Sequence, residues 1–146
     1  VQPDYPRDAQ VYTQYPDING QFNIENLDNG SAETASNYID VTFTLKAKDF
    51  GKAKIYVVGA FNQWEKDAES LMKFNPGVEA YQNTVLLKQG WYNYQYLVDD
   101  NQLGPYYFEG SHFETENFYE VLVYYKPFQP NTDLLIGYFP IQINAR

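Results

Sequence analysis

The chain has 146 residues, 44% of them hydrophobic and 18% aromatic, with 15 Tyr, 10 Phe and no Cys. That is enough apolar material for one core without staples, and it removes disulfides, thiolate chemistry and cysteine-based zinc sites. Nineteen acidic against ten basic residues leave a net charge of −9, a field that repels phosphate backbones and anionic lipid and makes nucleic acid and membrane surfaces poor partners.

The first 37 residues are rich in Pro, Asp, Asn, Gly and Ser and read as an extended arm, with apolar snatches at Val11-Tyr12 and one edge strand at 21–24. The chain opens Val1-Gln2-Pro3-Asp4, without an initiator Met or a targeting region, and reads as a piece or processed product of a longer protein. From Tyr38 the pattern changes. Ile39, Val41, Phe43 and Leu45 alternate with Asp and Thr, the period of two that marks a half-buried strand. Further strands are predicted at 54–59, 81–87, 91–98, 118–125 and 134–143, separated by turn chemistry such as Asn75-Pro76-Gly77, Gln89-Gly90 and Asp99-Asp100-Asn101. One helical turn is expected within 66–74. Repeated short strands without long helices predict an all-β, immunoglobulin-like (early-set) sandwich of two antiparallel sheets over 38–146. No apolar run reaches the ~20 residues of a membrane helix, so no membrane insertion is expected.

Ile55 to Trp64 contains Val58-Gly59-Ala60-Phe61-Asn62-Gln63-Trp64, and Gln89-Gly90-Trp91-Tyr92-Asn93-Tyr94-Gln95-Tyr96-Leu97-Val98-Asp99 follows. These two segments resemble the early-set sandwiches of the glycogen-binding type, in which a Phe-Asn-x-Trp turn precedes a Gly-x-Tyr-x-Tyr strand. Over nearly the whole chain, Asp17-Ile18-Asn19-Gly20, the same Trp turn, Phe113-Glu114-Thr115-Glu116-Asn117, Val123-Tyr124-Tyr125 and Leu135-Ile136-Gly137-Tyr138 resemble the C-terminal part of the type IX secretion system plug proteins of Bacteroidota. That resemblance implies a periplasmic or envelope-associated, non-enzymatic protein bound to an outer-membrane translocon.

Candidate ligand-binding residues are Trp64 and Asn62 in the turn, Gln95 on the following strand, and Tyr106 and Tyr107 in the next loop. A rigid exposed aromatic plane is what a sugar face requires. Trp64 is either such a plane or a lid packed over the sandwich end, and the lid is the favoured reading. Where glycogen-binding modules often carry a Lys, this chain has Gln95, and after Asp99 their second Trp is missing. The resemblance therefore leaves two of three platform elements unfilled, and carbohydrate binding is expected to be weak. Tyr92, Tyr94 and Tyr96 share one strand face and are expected to pack inward, with Trp91, Asn93, Gln95 and Leu97 on the other.

His112 is the only histidine, so no histidine triad or facial metal site can be assembled. Asp17, Asn19, Asp99, Asp100, Glu114 and Glu116 offer oxygen ligands, but turn chemistry accounts for them more simply than calcium does. The expectation is a non-catalytic interaction module with no cofactor and no metal. Its partner is another protein, either the rest of its own chain or a translocon component; the alternative is a carbohydrate-binding module.

Overall fold

Most of the alternating segments become paired strands. The structure is a computed structural model that describes residues 1–8, 10, 18–26, 31–129 and 131–144. Among these residues the strands are β1 (Phe22–Ile24), β2 (Tyr38–Leu45), β3 (Lys54–Gly59), β4 (Lys73–Asn75), β5 (Ala80–Lys88), β6 (Gly90–Tyr92), β7 (Tyr94–Asp99), β8 (Asn117–Tyr125) and β9 (Leu134–Ile143). Among the described residues helix is confined to one turn, α1 (Ala32–Ala35), and a 3-10 turn at Ala60–Asn62. Val11, Tyr12 and Asp17 lie outside the described residues. Contacts divide the chain into two units, Val1–Ser111 and His112–Arg146, where the sequence suggested an arm at 1–37 and one sandwich at 38–146.

In the first unit β2, β5 and β4 form one antiparallel sheet and β3 with β7 another. Phe43 and Leu45 of β2 and Tyr81 and Leu87 of β5 meet Ile55 and Val57 of β3 and Tyr96 and Val98 of β7, with Met72 and Phe108 completing the core. Two sheets thus bury their inner faces against each other as a β-sandwich. On the outer face Thr42 and Thr84 stand opposite each other with their hydroxyls 2.8 Å apart. The predicted all-β sandwich of antiparallel sheets is the observed fold.

Two local expectations are corrected. The segment 66–74 holds no helical turn: Asp67 Oδ1 accepts the Ser70 N–H at 2.7 Å, and Val57 and Met72 donate to the carbonyls of Ser70 and Ile55. The chain there edges β3 and then crosses to the other sheet as β4. The strand expected at 91–98 breaks at Asn93, whose side-chain oxygen accepts the N–H groups of Ile18 (3.2 Å) and Gly20 (2.9 Å). Before the break β6 pairs with β1; after it β7 pairs with β3. Early residues also belong to this unit: Asp4 bridges Leu45, and the Arg7 N–H donates to the Phe108 carbonyl.

The second unit is a hairpin. β8 and β9 pair from Asn117↔Ile143 to Tyr125↔Leu134, with a bulge between Val123 and Tyr124. Pro140 supplies no ladder donor, which suits an edge strand.

Candidate functional site

The Phe-Asn-x-Trp turn is built tightly. Gly59 ends β3 so close to its neighbours that an added Cβ would stand 2.6 Å from the Asn93 carbonyl oxygen and 2.6 Å from the Phe61 ring. Asn62 uses both ends of its amide inside the turn: Oδ1 accepts the Gly59 N–H at 3.0 Å and Nδ2 donates to the Glu65 carbonyl at 2.9 Å. Trp64 then sits in the left-handed region, φ 62°, with its N–H on the Gly59 carbonyl at 2.9 Å. Its half-buried indole packs on the turn at Gly20, where a Cβ would lie 3.2 Å from Cζ2. Gly20 has φ +75°, so both space and backbone call for glycine there.

The five candidates do not assemble into one platform. Gln95 is half-buried in β7 opposite Val58, next to the Gly59↔Tyr94 pair that leads into the Trp64 turn. Tyr106 and Tyr107 follow the other end of β7, where the Val98 N–H donates to the Pro105 carbonyl at 2.9 Å. Six residues of strand separate the two ends by about 16 Å at a rise of ~3.3 Å per residue. Tyr106 is 56% exposed, whereas Tyr107 turns its ring edge onto Phe50 and Phe108. Sequence reasoning did not single out Trp91, which is 68% exposed and donates from Nε1 to Glu25 at 2.6 Å. The signal was present in the alternation, because inward Tyr92 and Tyr94 require an outward Trp91.

The three tyrosines do pack inward. Tyr92 stacks on Phe22 at 5.5 Å, Tyr94 lies edge-on to Phe43 at 4.8 Å, and Tyr96 is buried. The hydroxyls of Tyr94 and Tyr96 converge on Asp4 Oδ2 at 2.8 and 2.6 Å. Beside them Glu109 Oε1 accepts the Tyr96 N–H at 2.8 Å. Burial pushes the Glu109 carboxyl up, against the opposing pull of that hydrogen bond and of Arg7. Burial and the Asp4 carboxylate push the Tyr94 and Tyr96 hydroxyls up. Both tyrosines thus stay protonated donors, and the cluster fastens Asp4 to β7.

Clefts of similar size lie in the first unit. One of about 510 Å³ is lined by Thr42, Glu69, Leu71, Lys73, Gln82 and Thr84, and another of about 510 Å³ by Lys46, Lys48, Asp49, Phe74 and Glu79. Asp100 is engaged in a turn, its Oδ1 accepting the N–H groups of Gln102 (2.7 Å) and Leu103 (3.0 Å).

The hairpin presents a run of exposed apolar side chains. On one face Tyr119, Val121 and Val123 stand opposite Ile141, Phe139 and Gly137, with Ile143 at the end, and no strand residue of this face is charged. On the other face Phe118, Leu122 and Tyr124 alternate with Glu120, and the Tyr138 hydroxyl donates to Glu120 at 2.7 Å. Every one of these large apolar side chains is exposed, Phe139 by 64%. Contiguous apolar surface of this kind is uncommon on a folded monomer.

No family model and no curated protein matches the chain. It is similar to a solved structure, that of a hypothetical protein from Parabacteroides merdae ATCC 43184, with a TM-score of 0.79 and 34% identity over 97% of this chain. The alignment takes in 36% of that protein, so the chain spans about a third of its length. No described helix is long and apolar enough to cross a membrane.

Proposed function

We propose that this chain is a non-catalytic interaction module whose binding element is the β8–β9 hairpin. The observation that carries this reading is a strand pair of core-like composition, Tyr119, Val121, Val123, Phe139 and Ile141 among its residues, that the chain leaves exposed. Two isolated strands are marginally stable in water and require a third strand or a packing face. A carbohydrate module needs flanking aromatic planes with a donor between them; here Trp64 lies on Gly20, and Tyr106 and Tyr107 are anchored at the far end of β7.

The resemblance to type IX secretion plug proteins supplies the setting: a periplasmic module of a longer protein, associated with an outer-membrane translocon. The face that mixes Phe118, Leu122 and Tyr124 with Glu120 has the blend of apolar and polar groups found in interfaces that form between folded proteins. Purification of the tagged native-length protein from the cell envelope tests this. The expected result is co-purification of the translocon component, abolished by Leu122→Glu with Tyr124→Glu. Undiminished co-purification by that variant would remove the hairpin as the binding element. Titration calorimetry with glycogen and maltoheptaose is expected to show no dissociation constant as tight as tens of micromolar, and a tighter value would favour the carbohydrate reading.

A further inference from the structure

The two faces of the hairpin differ in kind, and the difference identifies a partner for one of them. Because β8 and β9 alternate in register, Tyr119, Val121, Val123, Phe139, Ile141 and Ile143 fall on one side of the ribbon. Glu120, Gln142 and the Tyr138 hydroxyl fall on the other, where Tyr138 donates to Glu120 and Gln142 donates to Glu116 at 3.2 Å. The second side sets Glu120 and Gln142 among Phe118, Leu122, Tyr124 and Tyr138, a mixture that a sheet face in contact with water carries. The first carries one polar residue, Asn117 at its end opposite Ile143, and otherwise has the composition of a domain interior.

Interfaces that form and dissolve between folded proteins are about as apolar as ordinary surface, whereas permanent ones resemble a core cut in half. A surface without a charged strand residue, on a hairpin that cannot hold itself together, therefore belongs to the permanent class. A tethered partner suits such an element best, because the tether supplies a high effective concentration to a strand pair with little stability of its own. The solved protein from Parabacteroides merdae supplies the length: this chain aligns with 36% of it, leaving the larger part of a homologous polypeptide to provide the missing layer.

We infer that the Tyr119/Val121/Val123/Phe139/Ile141/Ile143 face is one half of a second sandwich, whose other half is an apolar sheet face supplied by further sequence of the same, longer polypeptide. This inference rests on the reading of the hairpin as the binding element and assigns its uncharged face to an intramolecular partner, leaving the mixed face for other proteins. Face-to-face packing, about 10 Å between layers, is the geometry that buries one whole side while leaving the opposite side free.

Hydrogen exchange on the 146-residue chain and on the native-length protein tests the inference without any substitution. The expected result is rapid exchange of the amides of 117–125 and 134–143 in the 146-residue chain, slowed on the order of 100-fold in the native-length protein. Val121→Glu with Phe139→Glu in the native-length protein should return the hairpin to the fast rate, while β2, β3, β5 and β7 keep theirs. Equal protection in the two proteins would overturn the inference. So would a dimer of the 146-residue chain that Val121→Glu dissolves, since the occupant would then be a second copy. A hairpin that stays open in the native-length protein, yet closes when the translocon component is added, would also overturn it while leaving the proposed function standing. A native polypeptide with nothing beyond these 146 residues would end it outright.

Discussion

β2 and β8 are built from the same kinds of residue, yet they end in opposite environments. In β2, Phe43 and Leu45 are buried under β3 and β7, while Tyr38 and Asp40 face outward. In β8, Phe118, Tyr119, Val121, Leu122, Val123, Tyr124 and Tyr125 are all exposed. Aromatic and β-branched residues favour a pleated strand wherever they occur, so both segments pair. Burial needs a second layer. β2 finds one because β3 and β7 lie across from it in the sandwich; among the described residues β8 pairs with β9 alone, and a two-stranded ribbon carries no opposite sheet of its own. Local composition therefore sets strand formation, and the arrangement of layers sets whether a strand contributes stability.

The sharpest way to break that comparison is to truncate a phenylalanine in each region. Phe43→Ala, at a site only 2% exposed and in contact with Phe61 and Tyr94, should cost about 3–5 kcal/mol in urea unfolding. Phe139→Ala in the same 146-residue chain should change stability by no more than ~0.5 kcal/mol. A loss of several kcal/mol at Phe139 would show that the hairpin already has a packing partner within these residues.

The same contrast explains what was legible in the sequence. The alternation Ile39, Val41, Phe43, Leu45 marks a strand without knowledge of neighbours, and its inner side holds at Phe43 and Leu45 but not at Ile39, which stays 46% exposed near the strand's start; Tyr92, Tyr94 and Tyr96 turn inward as their spacing requires. The break at Asn93 was not legible, because it is made by a distant turn whose N–H groups of Ile18 and Gly20 need an acceptor. The place of Asp4 was hidden for the same reason: its partners Tyr94 and Tyr96 are about ninety residues away in the chain. Whether β8 and β9 are exposed depends on what lies across from them, which no local pattern records. Trp64 and Tyr106 looked like parts of one platform because sequence order does not reveal which end of β7 each loop leaves.

A smaller effect is expected where the first unit closes over its own turn. Trp64→Ala should cost roughly 2–3 kcal/mol, below the value for a fully buried Trp because the indole is half-buried. Gly20→Ala should cost about 1–2 kcal/mol, since its φ of +75° strains any L residue and the new Cβ crowds Cζ2 at 3.2 Å. The two losses should be less than additive in a double-mutant cycle, because removing the indole relieves the crowding. Full additivity would separate Trp64 from the Gly20 turn.

Single hydroxyl deletions at the Asp4 cluster come next. Tyr94→Phe and Tyr96→Phe each remove one donor to Asp4, and each should cost about 1.5–2 kcal/mol, the lower part of the range for a hydrogen bond to a charged group. Asp4→Ala should cost more than either, since it leaves both hydroxyls without their acceptor. Equal losses for all three would mean that water replaces the carboxylate.

The smallest effect, and the one with a definite sign, is a pH dependence at Glu109. Its carboxyl is raised chiefly by burial, so between the unfolded and folded pKa values the native state binds more protons than the unfolded one. Linkage then makes this group's contribution most favourable below the unfolded value, and that contribution is lost as pH rises through the folded value. Asp67 is shifted the other way by the N–H of Ser70, so its contribution falls on acidification and the whole-protein profile mixes the two. Glu109→Gln isolates this contribution, because the amide oxygen still accepts the Tyr96 N–H while the buried charge is gone. Relative to the parent chain, Glu109→Gln should therefore lose ground as the pH is lowered from 7 toward 4.5, with the melting-temperature difference between the two changing steadily in the parent's favour. Arg7 lowers the same carboxyl, so its removal should steepen the trend. A difference that stays flat over this range would show that Glu109 titrates in the native protein as an ordinary solvated carboxylate, and one that shifts in favour of the variant on acidification would show a carboxyl held down, not raised, by folding.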